Sequence, residues 1–237
     1  MVLFACERPD DGVAIGWRPV AVGQRVEITT HTETTGLLLP VSSIRDQVRR
    51  YEVRGVDGDR VSSVRVEAIR DDHVVGGKRL PTIAGTFVAA SSHDAIDVTK
   101  PDGTPPTDLE RREVTAAARA MFTTMQLQRS FFTHRFHDGE RYEPTPEERA
   151  GLGVGGTAHV VITLTGHDRD GLTLAIDAEG VLEHPHDNFA RGVLTGRFET
   201  ATNGRRFHVT TDTDMFDTAG AKIGHVHYDS LQVTLSD

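Results

Sequence analysis

Residues 105–136, PPTDLERREVTAAARAMFTTMQLQRSFFTHRF, hold the one long helical signal in a chain whose two flanks are patterned for strands. Thr107 can accept a hydrogen bond from the amide of Glu110 while Glu110 reaches back to the amide of Thr107, so a capping box opens the helix directly after two prolines. Val114, Ala118, Met121 and Met125 then recur at spacings of four, three and four, which puts them on one face, whereas Arg111, Arg112, Thr115 and Arg119 point elsewhere. A single amphipathic helix must cover something, and only the flanking strands can supply the sheet.

The first flank alternates from Gln24, with Val26 and Ile28 on one side of a half-buried strand and Arg25, Glu27 and Thr29 on the other. Trp17 marks the expected start of the fold, and Leu37, Leu38 and Leu39 form a second strand or an apolar edge. Val48 to Val56 and Arg60 to Ile69 read as a hairpin turned at Asp57-Gly58-Asp59, with Tyr51, Val53, Val64 and Val66 on the core face. A Gly76-Gly77 turn leads to strands at Thr86 to Ala90 and Ala95 to Thr99, and Pro101-Asp102-Gly103 turns the chain into the helix.

The second flank repeats this grammar. Gly139-Glu140-Arg141-Tyr142-Glu143-Pro144-Thr145 echoes Gly23-Gln24-Arg25-Val26-Glu27-Ile28-Thr29, and Gly166, Asp168 and Asp170 echo Gly55, Asp57 and Asp59 at nearly the same offset, which suggests two related β units. Pro146-Glu147-Glu148-Arg149 opens a short helix that Gly151 or Gly153 can end. Val160, Ile162 and Leu164 alternate in one strand, Leu172, Leu174 and Ile176 in the next. Val193 to Thr202 and Arg206 to Thr211 form a long hairpin at Asn203-Gly204, and Val226, Tyr228, Leu231, Val233 and Leu235 pattern the C-terminal strands. The expected class is α+β: a mostly antiparallel, meandering, curved, half-barrel-like sheet of about ten to twelve strands with one amphipathic and one short helix. The expected divisions are a tether at 1–16, a first β unit at 17–104, a connecting helical segment at 105–137 and a second β unit at 138–237, with 17–237 forming one continuous domain.

Charge narrows the partners. A formal net charge of −9, with no cluster of lysine or arginine, excludes the counterion-displacing surface that nucleic acid requires. A hydrophobic share of 37% suits a sheet with one solvated face better than a doubly covered parallel sheet. No apolar run reaches the roughly 18 residues of a membrane-spanning helix. The single cysteine excludes an internal disulfide, and its setting, Leu3-Phe4-Ala5-Cys6, matches the end of a lipoprotein signal in which a small residue precedes a lipid-modified cysteine. On that reading the chain is lipid-anchored on the periplasmic side of a bacterial envelope. The alternative is a cytoplasmic protein with an incidental Cys6.

Gly77-Lys78, Pro81, Gly85-Thr86-Phe87, the charged helix from Asp108 and the Gly139 to Pro144 segment occur in an order that resembles a group of uncharacterised bacterial envelope lipoproteins. The resemblance covers roughly residues 17 to 235 and implies a curved antiparallel sheet with a helix on its concave face, a plan similar to LolA-like lipoprotein and lipid carriers. It implies no catalytic motif.

Of the twelve histidines, His225 and His227 share one face of a strand and His184 and His186 flank Pro185 in a loop, so a metal grip by these pairs, or a hydrolase built on them, is one reading. The other places His225 and His227 on the solvated face of an edge or terminal strand. Asp57-Gly58-Asp59, Asp168-Arg169-Asp170 and Asp212-Thr213-Asp214 lack the distal glutamate of a calcium loop and read as turns. Gly-x-Ser-x-Gly, Ser-x-x-Lys and a phosphate loop are missing from the sequence, so no cofactor or catalytic residue is assigned. Val114, Ala118, Met121, Phe122 and Met125 are either the lining of a cavity between helix and sheet or core packing. The expected function is a non-catalytic, monomeric binding module for a partner protein or an apolar small molecule. A lipid carrier with a cavity beneath the helix is the variant of that reading.

Overall fold

The computed structural model of the protein describes residues 12–14, 20–36, 41–58, 60–92, 95–151, 158–180, 191–201 and 205–236. In chain order the elements are β1 (Val13–Ala14), β2 (Arg25–Thr35), β3 (Ser43–Asp57), β4 (Arg60–Val75), β5 (Lys78–Arg79), β6 (Gly85–Ser92), β7 (Ala95–Thr99), α1 (Asp108–Thr133), β8 (Arg135–Phe136), β9 (Arg141–Tyr142), α2 (Pro146–Gly151), β10 (His159–His167), β11 (Gly171–Gly180), β12 (Arg191–Ala201), β13 (Arg206–Phe216) and β14 (Lys222–Ser236). One 12-stranded antiparallel sheet runs in the order β7-β6-β4-β3-β2-β14-β13-β12-β11-β10-β9, with β5 paired to β4. The order does not return on itself, so the curved sheet stays open, with β7 and β9 at its ends. The first half steps outward from β2 and the second half steps inward to β14. Their junction is the long pairing of β14 with β2, from His225 opposite Thr35 to Ser236 opposite Arg25.

The capping box at the start of α1 is formed in both directions, Glu110 N to Thr107 Oγ1 at 3.3 Å and Thr107 N to Glu110 Oε2 at 2.7 Å. α2 opens with the same device, Thr145 N to Glu148 Oε2 at 2.8 Å and Glu148 N to Thr145 Oγ1 at 3.3 Å. α1 packs on β4, β6 and β7 and touches α2, and α2 is tied to β9 by the bond from Tyr142 Oη to Glu148 Oε2 at 2.7 Å. The helical segment thus links the two ends of the open sheet across one face, the inner face. Two apolar clusters form there, one where α1 meets Val26, Tyr51, Val66 and Phe87, the other around Phe136, Ile162, Leu174 and Phe198.

Several elements differ from the sequence reading. β3 and β4 extend well beyond Val48 and Ile69, because their polar continuations pair with each other across the ladder instead of packing apolar groups. β13 continues past Thr211, so Asp212 and Asp214 lie inside a strand opposite His227 and His225, and the turn assigned to them does not exist. Asp168 does act in a turn, accepting from the amides of Asp170 and Gly171. β14 is one continuous strand in the middle of the sheet, not an edge, and β1, within the expected tether, pairs with β8 through Val13 and Phe136. Gly55 and Gly166, the glycines of the second echo, both lie at register shifts in their hairpins. Trp17, Leu37 to Leu39, and Asn203-Gly204 lie outside the described residues.

Candidate functional site

The inner face of β3 is apolar at one end and ionic at the other. Val53 and Tyr51 belong to the first core, while Arg49, Gln47, Arg45 and Ser43 continue the same alternation toward the other end of the strand. The partner strand β4 faces them with Val64, Val66 and Ala68, then with Asp71 and His73. That change of parity comes from a bulge. Arg49 pairs with Ala68 and Val48 with Arg70, so Ile69 is the extra residue and stands 47% exposed on the outside. Without the bulge Arg70 and Asp72 would point inward; with it, Asp71 does.

Asp71 is enclosed, its side chain 0% accessible. Arg45 grips it with a fork, Nε to Oδ1 at 2.9 Å and Nη2 to Oδ2 at 2.8 Å, and Gln47 Nε2 donates to Oδ1 at 3.1 Å. Glu113 comes down from α1, where its Oε2 accepts from Arg45 Nη2 at 2.7 Å and from Arg49 Nη2 at 3.4 Å. Burial pushes the Asp71 carboxyl up, but the bonds from Arg45 and Gln47 and the Arg49 charge outweigh it and hold the group below the usual carboxylate range. Burial and the Arg45 charge lower the pKa of His73 against the pull of Asp71 and Glu113, which leaves it neutral at pH 7, and its Nε2 lies 3.0 Å from Ser43 Oγ. Burial raises Tyr51 and Tyr228, so both phenols stay protonated.

Beside this cluster lies a strip of β2, β14 and β13 on which, among the described residues, the helix does not substantially pack. α1 packs instead on β4, β6, β7 and α2. The register places Thr32 beside Arg45 and Tyr228, and Tyr228 beside Thr211. Thr32, Tyr228, Ser230 and Thr211, with Val226, Val209 and Phe207 on the same face, are all half-buried. Among the described residues the inner face therefore carries two apolar clusters, a half-buried strip of hydroxyl and apolar groups between them, and the ionic cluster at the β3 side of that strip.

The residues singled out from the sequence fall elsewhere. Val114, Ala118, Met121 and Phe122 are buried in the first core together with residues of the sheet. Met125 lies in α1, but its side chain is outside the described set. His225 and His227 share the outer face of β14, where His225 Nδ1 lies 2.7 Å from Asp214 Oδ1, His227 Nδ1 lies 2.9 Å from Asp212 Oδ1, and that same Asp212 oxygen is 3.3 Å from His225 Nε2. His31 with Asp46, and His208 between Glu199 and Asp229, extend this pattern across the solvated face. Among the described residues no group of three or more histidine, cysteine or acidic side chains is arranged to hold a metal ion. His184, His186 and Cys6 lie outside the described residues.

Arg45, Arg49, Asp71 and Glu113 were not singled out from the sequence, although it carries two signals. Glu113 is spaced four residues from both Leu109 and Ala117, within the apolar stripe of the helix, and Arg45-x-Gln47-x-Arg49-x-Tyr51 is a strict alternation leading into the core.

No family model matches the chain, and no curated protein matches it. Among solved structures, one described as "Lipid-protein interactions in lipovitellin" is similar at 9% identity and a TM-score of 0.45, over 90% of this chain and 25% of that one. A hot-dog-fold protein of unknown function from Alicyclobacillus acidocaldarius aligns at 11% identity and a TM-score of 0.18, over 93% of this chain and 82% of that one. The chain spans about a quarter of the lipovitellin chain, and neither score reaches the level at which likeness bears on function.

Proposed function

We propose that the protein binds an amphipathic small molecule in the trough on the inner face of β2, β14 and β13. The observation that carries this reading is the half-buried strip of Thr32, Thr211, Tyr228 and Ser230 with Val226, which belongs to neither apolar cluster and is bordered on its β13 side by Val209, packed against the second. Ligand sites combine apolar lining with a few placed polar groups, and this strip offers both. The experiment is titration with an environment-sensitive apolar fluorophore and native mass spectrometry for co-purified amphiphiles. Ser230→Trp fills the trough and abolishes probe binding, whereas Thr29→Trp, on the exposed outer face of β2, leaves it unchanged. Equal binding by both variants overturns the reading, provided circular dichroism shows both folded.

We propose further that Cys6 carries a lipid anchor on the periplasmic side of the envelope, supported by the Leu3-Phe4-Ala5-Cys6 pattern. Labelling with a palmitate analogue in a bacterial host is then lost in Cys6→Ser, and persistence of the label refutes the anchor.

A further inference from the structure

The ionic cluster beside the trough is not two independent ion pairs. Asp71, fully enclosed, takes the fork of Arg45 and the amide of Gln47 and is the fixed counter-charge of the strands. Two guanidiniums against that one enclosed carboxylate leave one positive charge, and among the described residues Glu113, reaching in from the helix, neutralises it. Glu113 is the accessible member of the two acids, its side chain 18% exposed. Its single oxygen Oε2 is the meeting point of Arg45 Nη2 and Arg49 Nη2, so the two arginines already form a clamp that a carboxylate fills. Arg49 Nε, buried and without a hydrogen-bond partner among the described residues, is a donor this arrangement leaves unused.

We propose that the Arg45 and Arg49 clamp is the headgroup site of the trough and takes the carboxylate of a fatty-acid-type amphiphile, with Glu113 moving out toward water as the ligand carboxylate replaces it. The inference rests on the trough reading above. A monoanion matches the one positive charge the strands leave open. A phosphate dianion overcompensates it, and a neutral alcohol leaves Glu113 in place with no exchange. Thr32, next to Arg45 across the ladder and next to Tyr228 on its other side, makes the clamp continuous with the strip that would hold the chain of the ligand.

The test is calorimetric titration of the purified protein at pH 7.5 with dodecanoate, dodecyl phosphate and dodecanol, below their aggregation limits. Wild type binds dodecanoate at least about tenfold more tightly than dodecanol, a difference of about 1.4 kcal/mol. Glu113→Gln, which keeps the shape but removes the competing charge, tightens dodecanoate by about tenfold and leaves dodecanol unchanged. Arg49→Gln removes the preference for the acid over the alcohol. In a parallel melt, Glu113→Gln lowers the melting temperature of the free protein, and dodecanoate raises it more than in wild type. Equal affinity for acid and alcohol in wild type, no gain in Glu113→Gln, or a stronger preference for the phosphate overturns the clamp. If all three ligands bind equally and Ser230→Trp abolishes them, the trough stands and the clamp falls; if none binds, both fall.

Discussion

Replacing Asp71 by asparagine keeps the shape of the side chain and removes the charge that the strands are built around. Its carboxylate is fully enclosed and accepts two bonds from Arg45 and one from Gln47, so the substitution leaves Arg45 and Arg49 sharing Glu113 alone. Breaking one side of a buried ion pair costs about 3–5 kcal/mol, because the remaining charge stays out of water without compensation. Arg45 is 24% accessible and can recruit water, which places the expected loss at about 3 kcal/mol. For a chain of this size that is a fall of about 6–12 °C in melting temperature. The assay is urea unfolding followed by circular dichroism at pH 7, with the denaturant slope compared between variants. The double variant Arg45→Met/Asp71→Asn recovers part of the loss, since it removes one of the unpaired cations. Acid adds a second check. The folded pKa of Asp71 is depressed, so its contribution is present above the unfolded value of about 3.9 and is lost as pH falls through the folded value. The gap between wild type and Asp71→Asn therefore closes below about pH 4. A loss under about 1 kcal/mol at pH 7 with an unchanged slope refutes the assignment of Asp71 as the fixed counter-charge.

His208 behaves with the opposite sign. Burial lowers its pKa, but bonds to Asp229 and Glu199 raise it overall, so the stabilisation is complete below the unfolded value of about 6.5 and fades as pH rises through the folded value; His208→Gln flattens this dependence in melts run from pH 5 to 9. Ile69→Lys changes stability by less than about 0.5 kcal/mol because the side chain stands outside, and deleting Ile69 removes the bulge while leaving Arg70 outside and Asp71 opposite Gln47, so the cooperative unfolding transition in urea is retained. Met121→Ala costs about 2–5 kcal/mol in urea as a core truncation, and a cost near zero would mean that this side chain borders open space.

The sheet was readable because most of its strands follow one rule, apolar and polar residues in alternation, and that rule holds wherever one face packs and the other is wet. Tyr51, Val53, Val64 and Val66 were legible for that reason and do form the first core. The same rule failed from Arg45 to Gln47 and from Arg70 to His73, where both faces are polar and the strands are held by pairing between charges that lie far apart in sequence. It failed again at Asp212 and Asp214, whose partners are histidines of β14 and whose local pattern looks like a turn.

By itself the sequence determined the elements whose causes are local: both helix starts, through the reciprocal bonds at Thr107 and Thr145, the turn at Asp168, and the apolar stripe of α1. Tertiary structure decided what depends on register and strand order. The pairing of β14 with β2 put the C-terminal strand in the middle of the sheet and brought Tyr228 beside Thr32. The one-residue bulge at Ile69 selected Asp71 over its two neighbours, and the placement of α1 over β4 brought Glu113 onto Arg45 and Arg49. Side chains in a strand point to opposite faces with a period of two, so a single inserted residue exchanges inside for outside along everything that follows it. Such an insertion leaves no mark in composition or hydropathy and becomes visible only when the partner strand is in place.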